Sequence, residues 1–277
     1  MTTHHKLENG FSYIEVQNSV AQAKIALQGA HIFEYKSKTD LLWLSKTSPF
    51  EETKAIRGGI PLCWPSFGNN NPSLSQHGFA RTALFEVIHI DETQENSTKI
   101  TLRLQDNKST LALWNYHFEL NLTITIADTL SLALQTINKD TQPFTLTQAF
   151  HTYFNVSGIN DVAIGGLEEK PYFDALDTKH KIQKGTITFN QEFDCVYQEV
   201  DKDILLQDKS VTTQISSNGS SSTVVWNPWI GKCARMSGMR EDAYKEFVCI
   251  ETANAYDDFK TLQTNESHTL EVTFTTL

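Results

Sequence analysis

This chain of 277 residues is short of basic residues, of cysteine and of long apolar runs, and each shortage removes a class of function. Lysine and arginine together number 23 against 33 aspartates and glutamates, a formal net charge of −10. A nucleic-acid surface needs a basic patch or run, and none is visible, so nucleic acid is not an expected partner. No segment approaches the apolar length that crosses a bilayer, and the amino terminus, MTTHHKLENGF, has no apolar core of a secretion signal. No membrane partner is expected, and the cytoplasm is the expected compartment. The four cysteines (Cys63, Cys195, Cys233, Cys249) lie far apart without a C-x-x-C, so neither a zinc site nor a redox pair is indicated. No nucleotide-cofactor motif appears either, and the expectation is an activity without cofactor or metal.

Helical periodicity is also missing: no window of a dozen residues carries an apolar stripe at helical spacing. Period-two alternation recurs instead. It is clearest from His117 to Asp128, where Phe118, Leu120, Leu122, Ile124 and Ile126 share a face, and it resumes at Leu130, Leu132 and Leu134 after an Asp128-Thr129 turn. Ile100, Leu102 and Leu104 repeat it, as do Leu270, Val272 and Phe274. Shorter strands are predicted at 13–16, 31–35, 83–90, 186–189, 223–226 and 247–251. With 39% hydrophobic and 20% charged residues the chain has enough apolar surface for a sizeable core. The fold class is therefore all-β, with two large, mainly antiparallel sheets packed face to face. The only Ser-rich run, Ser216 to Ser222, is too short for a linker, so one domain over residues 1–277 is expected.

Against this background one stretch interrupts the alternation: IRGGIPLCWPSFGNNNPSLSQHGFAR, from Ile56 to Arg81. Its glycines and prolines oppose regular structure, and long ordered loops usually carry function. Two fixed cations, Arg57 and Arg81, accompany a titratable His77, a set suited to an anionic, hydroxyl-rich small molecule. On an acidic chain such a pocket has to build its own positive field. Three further segments carry groups of either structural or chemical use. His151 lies among Phe150, Tyr153 and Phe154, as a core histidine or one facing a cavity. Glu251 ends an apolar strand, exposed at the terminus or turned into a polar cleft. Asp194 sits in FDCVY, where a turn residue would serve as well. WNPW, residues 226–229, reads as a rigid turn whose tryptophans pack or support a sugar ring.

The ordered motifs IRGGIPLCWPSFG, QHGFAR, FHTYFNVSGI, DCVY, VVWNPW and FVCIETANA resemble those of the hexose-6-phosphate mutarotase branch of the aldose 1-epimerase family, from about Gly10 to the end. The resemblance implies a β-supersandwich of galactose-mutarotase type and interconversion of the α and β anomers of a hexose 6-phosphate, with D-glucose 6-phosphate expected; a monomer is the expected state. It implies His151 as general acid and Glu251 as general base, a carboxylate and an imidazolium at the start of the reaction. Arg57 and Arg81 look like a phosphate clamp, with Gln76, His77 and Asp194 as further substrate contacts. Cys195 departs from the family pattern, where arginine commonly follows the aspartate. Mutarotation of unphosphorylated aldoses, or carbohydrate binding without turnover, are the alternatives.

Overall fold

A computed structural model describes residues 1–69, 71–209 and 211–277; Asn70, within the Ile56–Arg81 stretch, lies outside the described residues. The alternating segments form strands for the reason the pattern implies. In Phe118–Ile126 and Leu130–Asn138 every second residue is buried, and the two pair in register from Phe118 opposite Asn138 to Ile126 opposite Leu130. Three residues, 127–129, connect them, tied by the Ala127 N–H donating to the Thr129 carbonyl at 3.0 Å.

These strands sit inside one eight-stranded antiparallel sheet. Its order is Val162–Gly165, Ile204–Asp208, Val211–Asn218, Ser267–Thr276, Leu130–Asn138, Phe118–Ile126, Ser97–Gln105 and Glu86–Gln94. The second eight-stranded sheet runs Lys179–Ile182, Pro171–Asp174, Phe193–Tyr197, Ser222–Asn227, Phe247–Asn254, Gln148–Phe150 and Leu62–Cys63, with Tyr153–Asn155 also paired to Phe247–Asn254. Thr2–Lys6, Ser12–Gln17, Gln22–Ala26 and His31–Lys36 make a four-stranded sheet, and Phe144–Leu146 pairs with Lys260–Leu262. The main apolar cluster extends from Ile14 to Phe274 and draws Leu122 and Leu134 from the first large sheet and Phe150, Phe247 and Ile250 from the second.

Several boundaries differ from the alternation. The strand expected at 83–90 begins at Glu86, because Ala80–Thr82 is a single 3-10 turn and the amide of Ala83 is held by the Phe79 and Ala80 carbonyls. Residues 186–189 form no strand; Ile187 only bridges Ile164. Two short helices, Lys108–Leu113 and Trp229–Cys233, lie below the length at which a helical stripe shows in sequence. No helix among the described residues is long and apolar enough to cross a membrane.

Candidate active site

The Ile56–Arg81 stretch owes its path to glycine at close approaches. Gly59 has φ +63°, and a Cβ there would lie 2.3 Å from the Ile32 carbonyl oxygen. Gly78 has φ +71°, and its Cβ would fall 2.1 Å from that of Trp64. Only glycine fits both demands. Buried His31 donates from Nε2 to the Gly58 carbonyl at 2.8 Å, which fixes the turn after Arg57. Trp64 Nε1 donates to Thr136 Oγ1 at 3.0 Å and pins the loop to the other large sheet. On either side of these anchors the chain presents Arg57, His77 and Arg81 to one cleft.

Strand register supplies the rest. Phe150 stands opposite Thr252 and Tyr153 opposite Cys249, so His151 and Thr152 fall across from Glu251 and Ile250. His151 thus sits between two short strands rather than within one. Glu251 lies in the middle of Phe247–Asn254, not at a strand end. The strand continues because its polar end is satisfied internally: Asn254 accepts from Gln148 at 2.9 Å and donates to Asp258 at 2.9 Å. Across the same face, Glu251 is opposite Val224, and Trp226 is opposite both Cys249 and Asp194. Asp194 is therefore a strand residue rather than a turn residue.

All seven side chains singled out from the sequence (Arg57, Gln76, His77, Arg81, His151, Asp194 and Glu251) line this one cleft, whose volume is about 690 Å³. At its floor His151 Nε2 lies 3.4 Å from Glu251 Oε1, with only 12% and 2% of the two side chains exposed. His151 Nδ1 and Glu251 Oε2 are buried without a hydrogen-bonding partner among the described residues. Buried polar atoms are rarely left so, and the hydroxyls of a bound polyol are suited to satisfy them. His151 stacks on Tyr153 at 4.9 Å and meets the rings of His77 and Trp226 edge-on at 5.6 and 5.8 Å.

Burial dominates the protonation of this cluster. It pushes the Glu251 carboxyl well above its ordinary value, and the charge of Asp194 adds to the rise. It pushes His151 well below the ordinary imidazole value, helped by His77 and by the positive charges of Arg81 and Arg57. Both shifts favour the neutral forms, an imidazole and a protonated carboxyl, over the imidazolium and carboxylate read from the sequence. The two descriptions hold the same number of protons and differ only in which residue carries the shared one. His77 is pushed down to about 3 by burial and by the two arginines. Its Nδ1 accepts from the Gly68 N–H at 3.3 Å, which leaves the ring proton on Nε2 as a donor. Arg81 anchors one guanidinium nitrogen on the Gln76 carbonyl at 2.6 Å.

Sequence reasoning missed the segment after WNPW. Lys232 reaches Asp194 at 3.2 Å and Glu192 at 3.3 Å and lies over the Trp226 ring at 5.6 Å. Burial raises the pKa of Asp194, and Lys232 pulls it back. Arg235, Met236 and Ser237 follow at the cleft edge, and Tyr256 closes it from another loop. Two cations, Lys232 and Arg235, four and seven residues after Pro228 were the available signal. Cys195, the departure from the family pattern, is buried against the sheet core.

Two large sheets with a polar cleft on one of them place the chain among the mutarotase-like β-sandwiches. The crystal structure of a "putative mutarotase" from Salmonella typhimurium superposes with a TM-score of 0.92 at 29% identity, covering 99% of this chain and 93% of that one. A galactose mutarotase-like protein from Lactobacillus casei shares the fold at a TM-score of 0.75 and 16% identity, with 96% of this chain and 100% of that one covered. The chain belongs to the aldose 1-epimerase family, whose sequence profile matches residues 12–275. Relatives named "Putative glucose-6-phosphate 1-epimerase" occur in Cenchrus ciliaris, 34% identical over 83% of this chain and 74% of that protein, and in Escherichia coli, 32% identical over 92% and 87%. The resemblance drawn from the six motifs holds.

Proposed function

We propose that this cleft interconverts the α and β anomers of a hexose 6-phosphate, with D-glucose 6-phosphate as the expected substrate and the chain acting as one domain. The observation that supports this most is the His151–Glu251 pair, 3.4 Å apart on the floor of a cleft that Arg57 and Arg81 also line. The names of the 32–34% identical relatives point the same way.

Mutarotation needs a proton taken from the O1 hydroxyl and one delivered to the ring oxygen O5 as the C1–O5 bond breaks. Rotation about C1–C2 then exposes the other face of the aldehyde, and reclosure returns both protons. One base, one acid and no net change in charge suffice. A hexose 6-phosphate carries close to two negative charges near neutral pH, and guanidinium forks match its oxygens. Its charge would offset the two arginines that hold His151 down. In the reacting form the shared proton sits on His151. The glutamate is then the base for O1 and the histidine the acid for O5. His77 Nε2–H, Gln76 and Asp194 are placed to meet sugar hydroxyls.

The test is NMR exchange spectroscopy between the anomers of glucose 6-phosphate, with glucose and galactose run separately. Faster exchange for the phosphosugar at low enzyme concentration is expected. No acceleration with any of the three sugars, in folded protein, would overturn the reading.

A further inference from the structure

The chain has five arginines, and their partners divide them sharply. Arg103 pairs with Glu86 at 3.3 Å, and Arg240 with Asp242 at 3.5 Å and with Glu246. The other three, Arg57, Arg81 and Arg235, have no carboxylate in ion-pair contact among the described residues, and all three line the cleft. Acids outnumber bases by ten here, so an arginine left without one marks a field kept for something else.

Arg235 has a fixed backbone and a free head. Asn227 accepts from the Trp229 N–H and donates to the Tyr244 and Phe247 carbonyls, each at 2.9 Å, which anchors the start of the segment. Cys233 is buried, with Sγ 3.2 Å from the Arg240 carbonyl, which anchors its end. The Arg235 amide donates to the Lys232 carbonyl at 3.1 Å, while the side chain is exposed and folds back over Gly231. The turn that follows packs against the chain leading into Arg57: a Cβ on Gly238 would lie 3.8 Å from Pro49 Cδ. Lys232, three residues earlier, is committed to Asp194 and Glu192 and is not available in the same way.

We propose that Arg235 is a specificity-determining residue, a third guanidinium that swings off Gly231 to share the substrate phosphate with Arg57 and Arg81. This rests on the hexose 6-phosphate reading above and extends it to a segment outside the two arginine motifs. Each guanidinium supplies charge-assisted hydrogen bonds, worth roughly 10–100-fold in binding. Lysine at this position keeps the charge but loses the fork.

The experiment compares wild type, Arg235→Ala and Arg235→Lys by anomer exchange with glucose 6-phosphate and glucose, and by inhibition with inorganic phosphate. Thermal unfolding checks that each variant is folded. Expected for Arg235→Ala is a KM for glucose 6-phosphate raised about tenfold or more, a smaller change in kcat, and phosphate inhibition weakened in parallel. Arg235→Lys should fall between. A KM within twofold of wild type with unchanged phosphate inhibition overturns the assignment of Arg235 alone. Wild type that handles glucose as efficiently as glucose 6-phosphate overturns the phosphosugar reading itself, and that result is known before any variant is made.

Discussion

Replacing Glu251 by glutamine should abolish most of the activity and stabilise the fold at the same time. The substitution keeps the shape of a side chain buried in the middle of Phe247–Asn254. It also removes no hydrogen bond at Oε2, which has no partner among the described residues. What it removes is a base, and a positioned acid or base contributes about 10²–10⁴-fold, equivalent to roughly 2.7–5.4 kcal/mol of barrier. Stability moves the other way. Burial raises the folded-state pKa of Glu251, so below the unfolded value near 4.5 both states hold the proton and no penalty arises. As pH rises toward the folded value, the unfolded chain releases a proton that the native chain keeps, and stability falls by about 1.4 kcal/mol per pH unit across that window. Glutamine has no proton to release. Glu251→Gln should therefore melt higher than wild type at pH 7–8, by roughly 2–4 °C for each unit of the window. The advantage should shrink toward pH 4. Calorimetry at several pH values beside anomer exchange reads both quantities. A variant that melts lower than wild type at pH 7.5, or keeps near-normal turnover, would refute the reasoning.

Arg57→Ala and Arg81→Ala should each lower the efficiency ratio of glucose 6-phosphate to glucose by about 10–100-fold, measured by exchange rates on the two sugars. Equal losses on both sugars would make the arginines structural. Arg81 also depresses His77 and His151, so Arg81→Ala should move the acidic limb of the pH–rate profile to higher pH, and a limb that stays put would contradict the field ascribed to it. Gly78→Ala places a Cβ against the Trp64 carbonyl at positive φ, which should cost at least about 1–2 kcal/mol in thermal or urea unfolding.

Much of the fold was legible because alternation is a direct consequence of a strand with one buried face. Phe118–Ile126 and Leu130–Asn138 carry it without a break. The strands that escaped notice are mostly too short to write an alternation, such as Gln148–Phe150, or lack a buried face, such as Thr2–Lys6. The seven site residues were found by type and motif, and the structure gathers them through register that no local pattern reveals. His151 meets Glu251 because two short strands pair with the halves of one long strand. Glu251 was expected at the end of a strand spanning 247–251; the buried Gln148–Asn254–Asp258 network accompanies its continuation to Asn254. Lys232 and Arg235 acquire their meaning only from tertiary structure, Lys232 through its contact with Asp194 and Arg235 through its place in the lining of the cleft. The direction in which His151 and Glu251 are shifted was also hidden, since it depends on burial.

The measurement that tests the central claim most directly is selective inversion of the anomeric signals in one tube holding equal glucose 6-phosphate and glucose. Competition for one cleft then reports the ratio of the two kcat/KM values. The account predicts a ratio of at least about 10 in favour of the phosphosugar, the value of a single charge-assisted contact. A ratio near one, or exchange of glucose alone, would contradict it.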